Sequence, residues 1–69
     1  MTAILVNGRP ETIADGTTIA SLLQRLDVPP EGRGVAVAVD AEVVPRGEWP
    51  TRVVEDGSAV EVVTAVQGG

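Results

Sequence analysis

Residues 2–26 read Thr2-Ala3-Ile4-Leu5-Val6-Asn7-Gly8-Arg9-Pro10-Glu11-Thr12-Ile13, then Ala14-Asp15-Gly16-Thr17, then Thr18-Ile19-Ala20-Ser21-Leu22-Leu23-Gln24-Arg25-Leu26. This stretch decides the fold. Asn7-Gly8 between two β-rich segments is a strong hairpin signal, because a type I′ turn needs positive φ at both central residues. Thr2–Val6 and Arg9–Ile13 are therefore expected as paired strands. Pro10 has no N–H to give to a ladder, so its strand belongs at a sheet edge. Asp15-Gly16 breaks that strand, and Thr18 is a good N-cap for a helix starting at Ile19. Ile19, Leu22, Leu23 and Leu26 fall at i, i+3, i+4 and i+7, which puts large apolar side chains on one helical stripe. Pro29-Pro30 is expected to end the helix, since the residue before a proline is steered out of the α region. At 3.6 residues per turn the helix has only about two and a half turns, so packing rather than propensity must hold it.

Beyond this core the chain alternates short apolar runs with turns. Residues 32–34 form a loop. Val35–Val39 is apolar on both faces, as in a strand covered on both sides or packed at a partner surface. Asp40-Ala41 reads as a turn into Glu42-Val43-Val44. Residues 45–50 are irregular and hold the only aromatic, Trp49. Residues 51–54 read as a short strand or a helical turn. Asp56-Gly57 is a second hairpin-type turn signal. Residues 59–66 form the last strand, with Val60, Val62 and Val66 on one face. Gln67-Gly68-Gly69 has no strand propensity and is expected as a flexible tail. The fold class is α+β: a single domain over residues 1–66, with one helix on one face of a mixed four- to five-stranded sheet. Ile4, Val6, Val60, Val62 and some of Val35, Val37 and Val39 meet the helix, while Leu5, Val63 and Ala65 point away by pleat alternation. No second helix exists to cover that far face. It is either a partner site or a set of singly exposed residues of no consequence.

Composition narrows the function. The 69 residues contain no Cys, His, Tyr, Phe or Lys. Disulfides and thiolate metal sites are excluded, as are the commonest general base and zinc ligand. A Schiff-base lysine is also absent. This is a poor kit for an enzyme. Five arginines face ten acidic residues, for a net charge of −5; such a surface repels phosphate backbones, so nucleic acid is not an expected partner. A hydrophobic fraction of 43% is too high for disorder. No apolar run approaches the ~18 residues of a membrane span. The N-terminus lacks the basic region of a signal peptide, so the expected location is the cytoplasm.

The last residues carry the most chemistry. Glycine adds no side chain and allows almost any backbone angle, so Gly68-Gly69 after a strand is a thin probe able to enter a narrow tunnel. Residues 66–69, fully extended, reach roughly 13–14 Å at 3.3–3.6 Å each. A terminal carboxylate, with a usual pKa of about 3.3–3.7, is ionised at neutral pH and can attack the α-phosphate of ATP without a base. Sulfide or persulfide attack on the resulting acyl-adenylate would leave a thiocarboxylate. The competing reading is an inert tail.

Taken together, Ile4-Leu5-Val6-Asn7-Gly8, Thr18-Ile19, Leu22-Leu23, Val35–Val39, Val43-Val44-Pro45-Arg46, Glu48-Trp49, Asp56-Gly57-Ser58-Ala59-Val60-Glu61-Val62-Val63 and Thr64-Ala65-Val66-Gln67-Gly68-Gly69 resemble the ThiS-type sulfur carriers of thiamine biosynthesis, members of the ubiquitin-like β-grasp superfamily. The resemblance spans nearly the whole chain. Asp40 stands where the family more often has Asn, a turn position that either residue serves. The resemblance implies that an E1-like adenylating enzyme activates Gly69 with ATP and magnesium. A cysteine desulfurase or other donor then supplies sulfur, and the Gly69 thiocarboxylate delivers it to a thiazole synthase for the thiazole ring. Gln67, Gly68 and Gly69 would enter partner active sites, and Leu5, Val63 and Val66 would contact the partner. Rival readings are the small subunit of molybdopterin synthase and a non-covalent ubiquitin-like interaction module. Trp49 is read as a lid over the core before a docking anchor. Arg46 is read as a solvated surface group, and Glu55-Asp56 as turn chemistry.

Overall fold

The computed structural model describes residues 1–28 and 34–64. The first hairpin joins β1 (Thr2–Val6) to β2 (Arg9–Ile13), with Val6 opposite Arg9. Its turn residues Asn7 and Gly8 sit at φ 50° and 81°, the left-handed geometry the sequence demanded. After the helix α1 (Ile19–Arg25) a second hairpin joins β3 (Val35–Val39) to β4 (Glu42–Val43) around Asp40 and Ala41, at φ 51° and 69°. A 3₁₀ turn over Arg46–Glu48 follows. The last strand, β5 (Ala59–Thr64), enters the middle of the sheet, parallel to β1 and antiparallel to β3. The sheet has five strands in the order β2-β1-β5-β3-β4, and Pro10 lies on the edge strand as expected.

Asp56-Gly57 makes a turn but not a hairpin. The Ala3 N–H donates to Asp56 Oδ1 at 2.8 Å, and the Gly57 N–H donates to the Ala3 carbonyl at 2.8 Å. The turn is thereby docked on β1 and launches β5 alongside it. Residues 51–54 form neither a strand nor a helix; Val53 makes one isolated bridge to Thr18.

The helix is held at both ends. The Thr18 hydroxyl accepts from the Ser21 N–H at 3.2 Å. The two remaining free N–H groups of the first turn, on Ile19 and Ala20, reach the carbonyls of Arg52 (2.9 Å) and Trp49 (3.0 Å). The irregular segment after β4 thus completes the helix N-terminus, where orphan donors would otherwise need water. At the other end Asp27 takes φ 60°. Its N–H bonds the Gln24 carbonyl at 3.2 Å and the Val28 N–H bonds the Leu23 carbonyl at 3.0 Å, the paired bonds of a Schellman motif. The helix therefore stops before Pro29-Pro30, which lie outside the described residues. This reversal corrects the expected stripe. It leaves Leu26 37% exposed and brings Val28 back against the core, so α1 buries Ile19, Leu22 and Leu23 only.

The core lies between α1 and one sheet face. It contains the expected Ile4, Val6, Val37, Val39 and Val60, with Val35 and Val62 partly buried against it. Ile13, Val44, Trp49 and Val54 complete it. Trp49 is 6% exposed and its Nε1–H donates to the Val44 carbonyl at 3.0 Å, which fixes it as a core residue. Among the described residues no buried side-chain N or O lacks a hydrogen-bond partner.

Candidate functional site

Among the described residues, none covers the sheet face opposite α1. Register places Pro10, Leu5 and Ala59 in one row across it, Glu61, Ala38 and Val43 in a second, and Val63 beside Ala36 in a third. Leu5 is 42% exposed, Val63 60% and Val43 73%. Shallow depressions lie on this face among the described residues. One of about 180 Å³ is lined by Ala36, Val37, Ala38, Val43, Glu61 and Val63. Another, of about 340 Å³, is lined by Ala3, Ile4, Leu5, Pro10 and Gly57. The expected contact residues Leu5 and Val63 therefore share a face without sharing a depression. Val66 lies outside the described residues, as do Ala65, Gln67, Gly68 and Gly69. Val43 was missed by sequence reasoning, because its side is set by which residue of β3 it faces, and that follows only from the Asp40-Ala41 turn.

The strand that leads to the tail is anchored on both sides. Toward β3, all residues from Val60 to Thr64 have antiparallel partners, Val39 through Val35. At its start the Asp40 N–H donates to the Ala59 carbonyl (2.8 Å) and Asp40 Oδ1 accepts from the Ala59 N–H (2.9 Å). Toward β1 the parallel register ends early, at Val6 opposite Val60. There the Asn7 N–H donates to the Val60 carbonyl at 2.9 Å. The Asn7 side chain then reaches two residues further: Oδ1 accepts from the Val62 N–H at 2.8 Å and Nδ2 donates to the Val62 carbonyl at 3.2 Å. Beside this clamp, on the helix side, lies a groove of about 300 Å³ whose walls include Arg9, Glu11, Leu26, Val28 and Thr64.

The described residues offer no catalytic constellation. They contain no group of three or more His, Cys, Asp or Glu side chains able to hold a metal. Glu55 is exposed, and Asp56 accepts from the Ala3 N–H of β1. Asp15 lies beside the start of β1. The Thr2 hydroxyl, donating to it at 2.7 Å, and then the N-terminal ammonium at 3.3 Å hold its pKa below the usual 3.8.

Residues 4–69 match the ThiS family. The chain belongs to this family. It is 33% identical over 66 residues to the sulfur carrier protein ThiS of Escherichia coli (strain K12), covering 96% of this chain and 97% of that protein. It is 38% identical over 66 residues to the sulfur carrier protein ThiS of Thermus thermophilus, covering 96% of this chain and 98% of that one. The crystal structure of the thiamine biosynthesis protein ThiS from Geobacter metallireducens has the same fold, with a TM-score of 0.81 at 33% identity over 99% of this chain and 100% of that one. A thiazole synthase of Paramagnetospirillum magneticum contains a stretch 32% identical over 66 residues, covering 96% of this chain but 20% of that longer protein. The ThiS-type sulfur carrier and the β-grasp fold expected from the sequence are both borne out.

Proposed function

We propose that this ThiS chain carries sulfur for thiazole formation on the carboxyl group of Gly69, as a protein cosubstrate rather than an enzyme. The family match running through residue 69 carries the reading. A carboxylate oxygen of Gly69 bonds to the α-phosphorus of ATP and pyrophosphate leaves. Hydrosulfide, released from a donor such as a cysteine-desulfurase persulfide by a thiol that is oxidised to a disulfide, then attacks the acyl carbon, AMP leaves, and a thiocarboxylate remains. An E1-like adenylating enzyme supplies the ATP and magnesium site, and the carrier supplies none of the catalytic side chains. Its lack of Cys, His and Lys is what such a passive role allows. The carrier-like stretch inside a protein named thiazole synthase supports a thiazole synthase as the receiving partner. All of these steps fit the cytoplasm.

Gln67, Gly68 and Gly69 enter the partner active sites, while Leu5, Val63 and Val66 contribute to docking. The chain is incubated with ATP, an adenylating enzyme and a sulfur donor, and its intact mass is read. The expected product has one terminal oxygen replaced by sulfur, mapped to the C-terminal peptide because oxidation of Met1 gives nearly the same shift. Deleting Gly69, or Gly68→Val, is expected to abolish the product and leave the circular dichroism spectrum unchanged. No product from the intact chain would overturn the reading.

A further inference from the structure

We propose that Asn7 is a positioning residue for the transfer chemistry: its side-chain amide pins Val62 and so fixes the point from which β5 delivers the tail. The inference rests on the carrier reading above. The parallel β1–β5 ladder covers only Leu5 opposite Ala59 and Val6 opposite Val60, whereas β5 continues to Thr64. Backbone polar groups alternate sides along a strand, so those of Val62 face the β1 side just where β1 has turned away. Asn7 sits in that turn at φ 50°. Its carboxamide carries an acceptor and a donor side by side, as a peptide group does. It takes both the N–H and the carbonyl of Val62, at 2.8 and 3.2 Å, and so acts as one further rung of a ladder the main chain no longer supplies.

The position of that rung matters more than its strength. Exposed neutral hydrogen bonds contribute little to net stability, and β3 already holds β5 on its other side. The end of β5 is nevertheless the last described point before the tail. If Val62 frays, the chain ordered inside a partner tunnel lengthens, and each residue freed must be ordered again at an entropic cost. The body of the carrier docks through its open face, so loss of the rung is expected to lower the rate of the bound complex rather than docking itself.

Asn7→Gly tests this cleanly. Glycine tolerates the positive φ, so the turn survives and only the carboxamide is lost. Thr18→Ala, which removes the helix cap at a distance from β5, controls for general destabilisation. With the adenylating enzyme at a temperature well below both melting points, Asn7→Gly is expected to speed amide exchange at Val62. It should lower kcat for acyl-adenylate formation about ten- to a hundred-fold, the scale on which a misplaced reacting group costs rate. KM for the carrier should stay near the wild-type value, and Thr18→Ala should leave kcat unchanged. Asn7→Asp, which keeps the acceptor for the Val62 N–H and loses the donor, should fall between. An unchanged kcat in Asn7→Gly despite lost Val62 protection would overturn the proposal, and so would an equal loss of kcat in Thr18→Ala. Wild-type chain run alongside separates the two levels: if it forms no adenylate, the carrier reading fails and this one falls with it.

Discussion

The two faces of the sheet are built from the same strands by alternate residues, yet they meet different fates. On one, Ile4, Val6, Val37, Val39 and Val60 are buried under α1. On the other, Leu5, Val43 and Val63 are exposed with Ala36 and Ala38 between them. Apolar side chains populate both, so hydrophobicity alone does not distinguish core from surface in this chain; the position of a single helix does. The covered face stabilises the molecule, and the open face is free to meet another protein without loosening the fold.

The comparison breaks most directly at Leu22, buried at the centre of the helix stripe. Leu22→Ala is expected to cost about 2–5 kcal/mol in urea unfolding, a large part of the roughly 3–10 kcal/mol expected for a chain of this size. A loss under about 2 kcal/mol, the floor for such a site, would show that the covered face is loosely packed. Val63→Glu is its counterpart on the open face. Stability should move by less than about 0.5 kcal/mol, while affinity for the adenylating enzyme falls roughly ten-fold, as for an interface residue costing over 1 kcal/mol. Equal losses in folding and docking would place Val63 in the core instead. Thr18→Ala sharpens the same contrast, because it weakens the cover and not the sheet; about 1 kcal/mol of stability is expected to be lost, with docking unchanged.

The smallest effect is expected at Asp15. Its folded pKa is depressed, first by the Thr2 hydroxyl and then by the N-terminal ammonium. Its contribution is therefore present above the unfolded value near 3.8 and is lost as the pH falls through the folded value. The stability difference between wild type and Asp15→Asn should shrink below pH 3.8. A difference that grows on acidification would contradict the assigned bonds.

Much of this arrangement is legible in the chain itself because it rests on local chemistry. Asn7-Gly8 gives the first hairpin, Thr18 the helix start and Pro10 the sheet edge. Asp40-Ala41 marks the second hairpin, although its positive φ at Ala41 is unusual for a residue with a Cβ. What was not legible depends on distant partners. Nothing beside Asp27 marks a left-handed helix terminus where glycine is usual, so periodicity alone places Leu26 on the apolar stripe. Ile13 and Val54 lie in short segments without an apolar periodicity, and their burial follows from where β2 ends and where the return segment crosses the helix. Asp56-Gly57 looks local, but its hydrogen-bond partner is Ala3. On the site, Leu5 and Val63 were readable from pleat parity. Val43 needed the strand register, and the second role of Asn7 needed the short reach of the parallel ladder.

Trp49 is the sole tryptophan, and the chain has no tyrosine. Its indole, sealed against the helix side with its N–H bonded to Val44, makes ultraviolet emission a single-point gauge of this fold. Unfolding should shift that emission to the red, whereas a guest seated on the opposite side of the sheet should leave it nearly unmoved. Melting can thus be followed optically without attaching a dye, whether or not the opposite side of the sheet is occupied.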